Sequence, residues 1–405
     1  MASHYSKIWK YGFLTLLVLN LAIVARDYAP KIERKLARRH TADSLTDGEY
    51  FQRVLKTSRD QLHANRTIAA NDEARLLLLD DLTGLRANCW AYSSHEAILA
   101  EGIMAADAVQ PNDENLSIVK AYYNQVVAPA GQLLKPCDRL DETVHGLNLL
   151  RLAARTKEDR YRLGAEKMVS FLIAKSNREG GTLAYIGDLR LVDTLGMTCP
   201  FLAEYGSRFD NPPAMKLAVR QVCDFVTYGI EPKSGLPYHG YNPDDSFHPI
   251  GVVGWGRGTG WYGLGLVGTL AWLDKADGNR TVMQDALRGL AGALRHYQRP
   301  DGGWGALMNV NGSPAYDHYD SSATAMLAFV LQKGMQMNIL PGSYQKEVSA
   351  ALASLKHHTH ADGTVDYVQG ETMSLVRFSS SFEPSSYGQG MALALAAAEL
   401  SRQAR

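Results

Sequence analysis

The sequence predicts an all-α protein: one (α/α)6 barrel of six helical hairpins, preceded by an N-terminal membrane-anchor helix. Three observations carry this expectation. From about residue 46 apolar residues recur at i, i+3, i+4 and i+7, the period of a helix with one buried face, and Gly, Pro and Asp punctuate the pattern. Period-2 runs rich in Val, Ile and Thr are almost absent, which argues against a major sheet. A weak internal repeat places similar helix ends at Arg178-Glu179-Gly180-Gly181, Lys233-Ser234-Gly235, Pro300-Asp301-Gly302-Gly303 and Ala361-Asp362-Gly363, roughly one helical hairpin and its return apart.

The first element lies outside the barrel. Tyr11 to Ala25 reads YGFLTLLVLNLAIVA, interrupted only by Asn20. A helical span needs ~20 residues, and Ile8 and Trp9 lengthen the run if Lys10 snorkels. A signal-peptide core has similar length, with Lys7 and Lys10 in front. Arg26 directly after Ile23 and Ala25 makes a poor cleavage site, so an uncleaved anchor is expected. Arg26, Lys31, Arg34, Lys35, Arg38 and Arg39 follow the run, which by the positive-inside rule places the main domain in the cytoplasm. The sequons at Asn65, Asn115, Asn279 and Asn311 point the other way in a eukaryote. Sidedness stays open at this stage.

The barrel elements follow in order near 47–64, 90–108, 115–128, 140–155, 159–176, 190–208, 212–230, 258–274, 281–299, 320–338, 343–359 and 386–402. Asp320-Ser321-Ser322 opens one helix and Pro341-Gly342-Ser343 precedes the next, both recognisable start signals. GWYGLGLVGTLAWL and GQGMALALAAAEL carry Gly and Ala on their apolar faces; such small residues suit helices packed on both sides, as an inner ring requires. No linker or low-complexity tract divides residues 46–405. They read as one domain, with 1–45 as anchor and basic linker.

Composition narrows the function. Lys+Arg and Asp+Glu both number 42 in 405 residues, and a nucleic-acid partner is not expected without a basic excess. Cys89, Cys137, Cys199 and Cys223 lack metal-ligand spacing, so no metal is expected. They read as buried thiols, or as thiols of which one pair bridges.

Most acidic residues sit among charged neighbours. Asp193, inside Leu191-Val192-Asp193-Thr194-Leu195, and Asp141, in Leu140-Asp141-Glu142-Thr143-Val144, instead begin apolar helices. Each suits a carboxylate that satisfies helix N-terminal donors. Each also suits a proton donor, because an apolar wall and a second carboxylate favour the protonated acid. A richer cluster follows: Tyr238-His239-Gly240-Tyr241, then Trp255-Gly256-Arg257-Gly258-Thr259-Gly260-Trp261. Indole faces stack on sugar rings and an arginine fork grips a carboxylate. Two tryptophans flanking one arginine at a helix start therefore describe a pocket for an anionic sugar, or equally an aromatic core with Arg257 at its rim.

Taken in order, the motifs resemble those of the unsaturated rhamnogalacturonyl hydrolases, glycoside hydrolase family 105, and of the related unsaturated glucuronyl hydrolases of family 88. The run is D-x-x-x-x-G (Asp141 to Gly146), V-D-T-x-x-M (Val192 to Met197), Y-H-G (Tyr238 to Gly240), W-x-R-G-x-G-W (Trp255 to Trp261), S-S-A-T-A (Ser321 to Ala325) and Y-G-Q-G-M (Tyr387 to Met391). The resemblance covers roughly residues 88–405. It implies an (α/α)6 barrel that releases a 4,5-unsaturated uronic acid from the non-reducing end of an oligosaccharide by hydrating the vinyl-ether double bond, without metal or cofactor. It implies Asp193 as general acid/base and Asp141 as the residue that orients substrate and helps keep Asp193 protonated. His239, Trp255, Arg257 and Trp261 would bind the sugar, with Tyr92 on the pocket wall. Leu191, Thr259 and Asp320 depart from the residues common in the family, and Leu191 removes a stacking surface beside the proton donor. An anchor is also unusual there; a substrate derived from polysaccharide slightly favours an extracytoplasmic barrel despite the charge bias.

Other readings keep part of this picture. A different glycosidase or a sugar lyase could use the same toroid, since fold does not fix function; it would accept saturated glycosides. A non-catalytic polysaccharide-binding scaffold would tolerate loss of Asp193 but not of Trp255 or Trp261. A prenyl-type cyclase is disfavoured, as no Asp-rich metal motif is present. Oligomeric state has no signature in the sequence.

Overall fold

The computed structural model describes residues 2–64, 94–244, 247–310, 317–372 and 374–404. All twelve expected barrel segments are helical, with ends moved by a few residues. Helices α1 (Ala2–Asp27) and α2 (Ala29–Ala37) precede the barrel. The barrel consists of α3 (Asp47–His63), α4 (Ser94–Val109), α5 (Asp113–Tyr123), α6 (His145–Thr156), α7 (Asp159–Arg178), α8 (Asp193–Arg208), α9 (Pro212–Tyr228), α10 (Gly256–Trp272), α11 (Arg280–Tyr297), α12 (Ser321–Gln336), α13 (Gln345–His357) and α14 (Ser386–Gln403).

The even-numbered helices α4 to α14 pack each on the next, and α14 returns to α4 to close an inner ring; the odd-numbered helices α3 to α13 wrap it. The small residues expected on inner faces explain how the ring closes. Gly102 of α4 lies against Gly390 of α14, and a Cβ on either would collide with the other helix's backbone. Backbone cannot rotate aside as a side chain can. Gly390→Ala is therefore expected to destabilise the fold by about 1–3 kcal/mol through overpacking, outweighing the ~1 kcal/mol gained in helix propensity. A lower urea midpoint at unchanged m-value is the check.

The two ends of the barrel differ. Rear connections such as 110–112, 157–158 and 209–211 are minimal, whereas the front ones at 124–144, 179–192, 229–255, 298–320 and 358–385 are long. Long loops on a rigid frame are where function usually sits. The repeat seen in the sequence marks the start of these front loops. Gly181, Gly235, Gly302 and Gly363 all adopt φ between 70 and 94° shortly after an outer helix, a left-handed conformation that glycine takes without steric cost.

The front loops also hold the strands, which the sequence expectation did not resolve. Antiparallel β1 (Arg190–Leu191), β2 (Tyr238–Tyr241) and β3 (Pro249–Val253) form one small sheet, and β4 (Val368–Gln369) pairs with β5 (Phe382–Glu383). They are too short to display period-2 alternation. The helix expected from residue 190 begins instead at Asp193, because Arg190 and Leu191 pair with Tyr241 and Gly240.

Two smaller expectations are refined. Cys137, Cys199 and Cys223 are free thiols, and Cys89 lies outside the described residues. Burial pushes the Cys199 thiol up to about 12, as befits an inert core cysteine. Asn115 is fully buried, so its sequon cannot accept a glycan in the folded protein.

Within α1, Trp9–Arg26 is long and apolar enough to cross a membrane, with mean hydropathy 1.3 and no buried residue. Helix α2 is not a free linker. Arg38 donates from Nε and Nη2 to the Asp366 carboxylate (2.7 and 3.1 Å) and from Nη2 to the Phe382 carbonyl (2.7 Å), and Arg34 pairs with Glu383 at 2.9 Å. This clasp joins α2 to the β4–β5 hairpin in the front loop 358–385. Burial alone would raise the Asp366 carboxyl, but bonds from His360, Arg38 and the Tyr367 amide hold it down to about 2. A depressed folded-state value stabilises above the unfolded pKa and loses that stability as pH falls through the folded one. The contribution, about 2 kcal/mol, is thus complete above roughly pH 4 and fades toward pH 2. Urea unfolding at pH 5 and pH 3 should show this loss, and Asp366→Asn should flatten it.

Candidate active site

At the front end the N-termini of the six inner helices converge, and a helix N-terminus carries partial positive charge and unsatisfied N–H groups. Asp193 is the first residue of α8. Its position is fixed by the strands: β1 leads straight into it, and the Val192 amide donates to the His239 carbonyl on β2 at 2.9 Å. The His239 ring consequently stands beside the Asp193 side chain, Nε2 to Oδ2 3.5 Å. Both residues are buried, and Asp193 Oδ2 makes no hydrogen bond among the described residues.

Asp141 sits in a 3-10 turn, Leu140–Val144, that feeds α6. It accepts hydrogen bonds from Arg139 Nη2 at 2.8 Å and from the Tyr185 hydroxyl. Tyr185 connects the two acids: burial, then the charges of Asp141 and Asp193, push its phenol far above the ordinary range. The phenol thus stays neutral and donates to Asp141.

Trp255 caps α10 and Arg257 lies in its first turn. Trp255 donates from Nε1 to Gln369 Oε1 at 2.9 Å, and its ring meets those of His239 and Phe378 with centroids 4.9 and 5.5 Å away. Arg257 donates to the Gln369 carbonyl at 2.7 Å and the Gly370 carbonyl at 2.9 Å. Both terminal nitrogens of the guanidinium thus hold the backbone of the loop after β4. That loop carries Glu371, which pairs with His95 of α4 at 2.7 Å. Burial would raise the Glu371 carboxyl, but His95 and then Arg257 hold it at about 2. Tyr387, at the start of α14, shares a hydrogen bond with Ser94 Oγ at 2.6 Å and packs its ring 4.1 Å from that of His95. Burial and the Glu371 charge push its phenol well up.

The structure thus gathers Asp193, His239, Trp255 and Arg257 into one cluster at the front end, with Asp141 held by Tyr185 in a neighbouring front loop. Trp261 lies deeper. It is 1% exposed, meets Tyr387 edge-on at 5.9 Å, and on its other side lines a rear cavity of about 490 Å³ with Glu204, Arg208 and Trp272. It forms a floor rather than an open stacking face. Tyr92 lies outside the described residues. Sequence reasoning did not single out Tyr185, His95, Glu371 or Phe378. Tyr185, Glu371 and Phe378 stand in front loops and His95 at a loop–helix junction, where no periodicity marks them; Tyr387, by contrast, lies within a motif noted in the sequence, at the glycine-rich start of its helix. Among the described residues no three His, Cys, Asp or Glu side chains gather as a metal site.

Comparison with known proteins agrees with this architecture. The family model described as Glycosyl Hydrolase Family 88 matches residues 63–403. A crystal structure of a possible member of the GH105 family from Klebsiella pneumoniae is similar with a TM-score of 0.74 and 19% identity, over 89% of this chain and 95% of that one. The unsaturated glucuronyl hydrolase of Bacillus sp. GL1, responsible for the degradation of glycosaminoglycan, is similar with a TM-score of 0.65 and 14% identity, over 86% and 96%. By sequence, the 24.9 kDa protein in the picA locus of Rhizobium radiobacter is 28% identical over 167 residues, 39% of this chain and 68% of that protein. The structural likenesses carry the fold.

Proposed function

The chain belongs to glycosyl hydrolase family 88, and from that premise we propose that it removes a 4,5-unsaturated uronic acid from the non-reducing end of an oligosaccharide, with Asp193 as the proton donor. The observation that carries the reading is the setting of Asp193: buried at a helix N-terminus, with Oδ2 facing His239 Nε2 at 3.5 Å and in no hydrogen bond among the described residues. An acid so placed is free to meet substrate.

In the proposed reaction Asp193 gives its proton to C4 of the unsaturated ring. Positive charge then develops at C5 and on the ring oxygen. Water adds at C5, returning its proton to the Asp193 carboxylate, and yields a hemiketal. Opening of that hemiketal breaks the bond between C5 and the ring oxygen, giving a ketone at C5 and a hemiacetal at C1, and collapse of the hemiacetal to the aldehyde releases the aglycone as an alcohol. Asp141, held by Arg139 and Tyr185, orients the sugar. Trp255 and His239 line the wall, with Trp261 below. Arg257 acts through the loop it holds, and its charge together with the helix N-termini favours the sugar's carboxylate. The barrel is carried by α1 as a single-span anchor.

The test is the ultraviolet absorbance of the conjugated double bond. The whole chain in detergent is incubated with a panel of lyase-generated unsaturated oligosaccharides. An Asp193-dependent fall in absorbance is expected, with saturated glycosides inert. Turnover of saturated glycosides would point to a different glycosidase, and binding without any fall to a scaffold.

A further inference from the structure

The geometry points to a second interaction surface: α2 and the rim of the barrel mouth together form a seat for an anionic membrane surface, so that the active-site opening is held against the bilayer. The inference rests on reading α1 as the anchor.

Helix α2 has two working stripes. Arg34 and Arg38, four residues apart on one face, clasp the β4–β5 hairpin at the front of the barrel. Tyr28, at the junction, and Ile32 and Leu36 follow one another at the same four-residue interval on the opposite face, 53, 58 and 50% exposed. Lys35 and Arg39 flank that apolar stripe and are exposed. An apolar stripe edged by cations is the pattern of a helix lying in the interface of an anionic membrane. Its occupant is indicated by continuity: only Tyr28 separates α2 from the apolar helix α1. Pro30, in the first turn of α2, leaves one amide out of the backbone ladder that runs from α1 into α2.

The mouth rim continues the same surface. Leu134, Ile186, Phe247 and Val376 are exposed large hydrophobics, and each stands in a different front loop. Only Phe209 and Val282 carry comparable exposure elsewhere on the described barrel. Val376 is followed by the exposed Arg377, again an apolar tip with a cation. Because α2 is clasped to the hairpin whose loop bears Val376, seating α2 on the membrane brings this rim down with it. The substrate that such a mouth meets is the end of a glycan held close to the bilayer.

Depth-dependent quenching tests this. The full chain is reconstituted in phosphatidylcholine vesicles containing phosphatidylglycerol, with bromines at shallow or deep acyl positions. Native Trp9 reports on α1; Ile32→Trp and Val376→Trp, each in a Trp9→Phe background, report on α2 and the rim, and Val282→Trp on the rear end. The added emission of the first two variants should fall about two-fold with shallow bromines, as expected for side chains buried 5–10 Å into the headgroup boundary, and Val282→Trp should not respond. An unquenched Ile32→Trp or Val376→Trp with Trp9 quenched overturns the seat while leaving the anchor intact. An unquenched Trp9 removes the anchor and the seat together.

Discussion

Replacing Asp193 with asparagine should lower turnover of an unsaturated oligosaccharide by about 10²–10⁴-fold, the range for loss of a positioned general acid. The replacement is isosteric and polar, so the contacts that fix α8, including the pairing of β1 with β2, remain. An amide cannot supply the proton that C4 requires. The thermal midpoint should therefore stay near that of the parent while kcat collapses and KM changes little, the signature of an interaction used in the transition state. Substantial residual turnover in a folded variant would remove the mechanism.

Arg257→Lys should be the other large effect. A lysine keeps the charge but not the fork. The parent side chain is 2% exposed and makes two charge-assisted bonds to successive carbonyls of the mouth loop, each worth about 1.5–3 kcal/mol. One ammonium cannot reproduce both. Loss of several kcal/mol of stability and faster proteolysis within residues 370–381 are expected, together with at least a ten-fold drop in kcat/KM. If Arg257 served only to bind a sugar carboxylate, the variant would show a raised KM with an unchanged melting temperature. Comparing the two readouts separates these roles.

How far the sequence carried the fold can be seen helix by helix. Outer helices such as α11 bury one face, and that periodicity is written into any helix with a core side; inner helices such as α12 and α14 are buried nearly all round and were legible through their small and apolar residues. The Gly102–Gly390 contact was foreshadowed by the small residues of GQGMALALAAAEL, though which helix would meet them was not. The short strands escaped, because two to five residues cannot show alternation. Asp193 and His239 were named by motif, but their 3.5 Å approach depends on a backbone bond from Val192 to His239 across two front loops, a long-range fact absent from local pattern. Glu371 and His95 stand at opposite ends of the barrel sequence, so their pairing had no local trace. Arg257 was read either as a fork for a sugar carboxylate or as the rim of an aromatic core; the bonds from both its terminal nitrogens to the backbone at Gln369 and Gly370 became visible only in three dimensions.

The seam between α4 and α14 has a consequence for how the protein is made. The ring is closed by joining its first inner helix to its last, and the contact admits no side chain on either partner at the glycine pair. Until α14 has been synthesised, the inner faces of the earlier helices have no closed ring to enter. Chain-closure entropy must be met late and all at once, and non-local closure of this kind is slow. A nascent chain would then wait with apolar helices incompletely packed, the state in which aggregation and chaperone capture compete with folding. Yield in a cell should thus respond more sharply to lesions in the seam than to equally destabilising lesions in an outer helix.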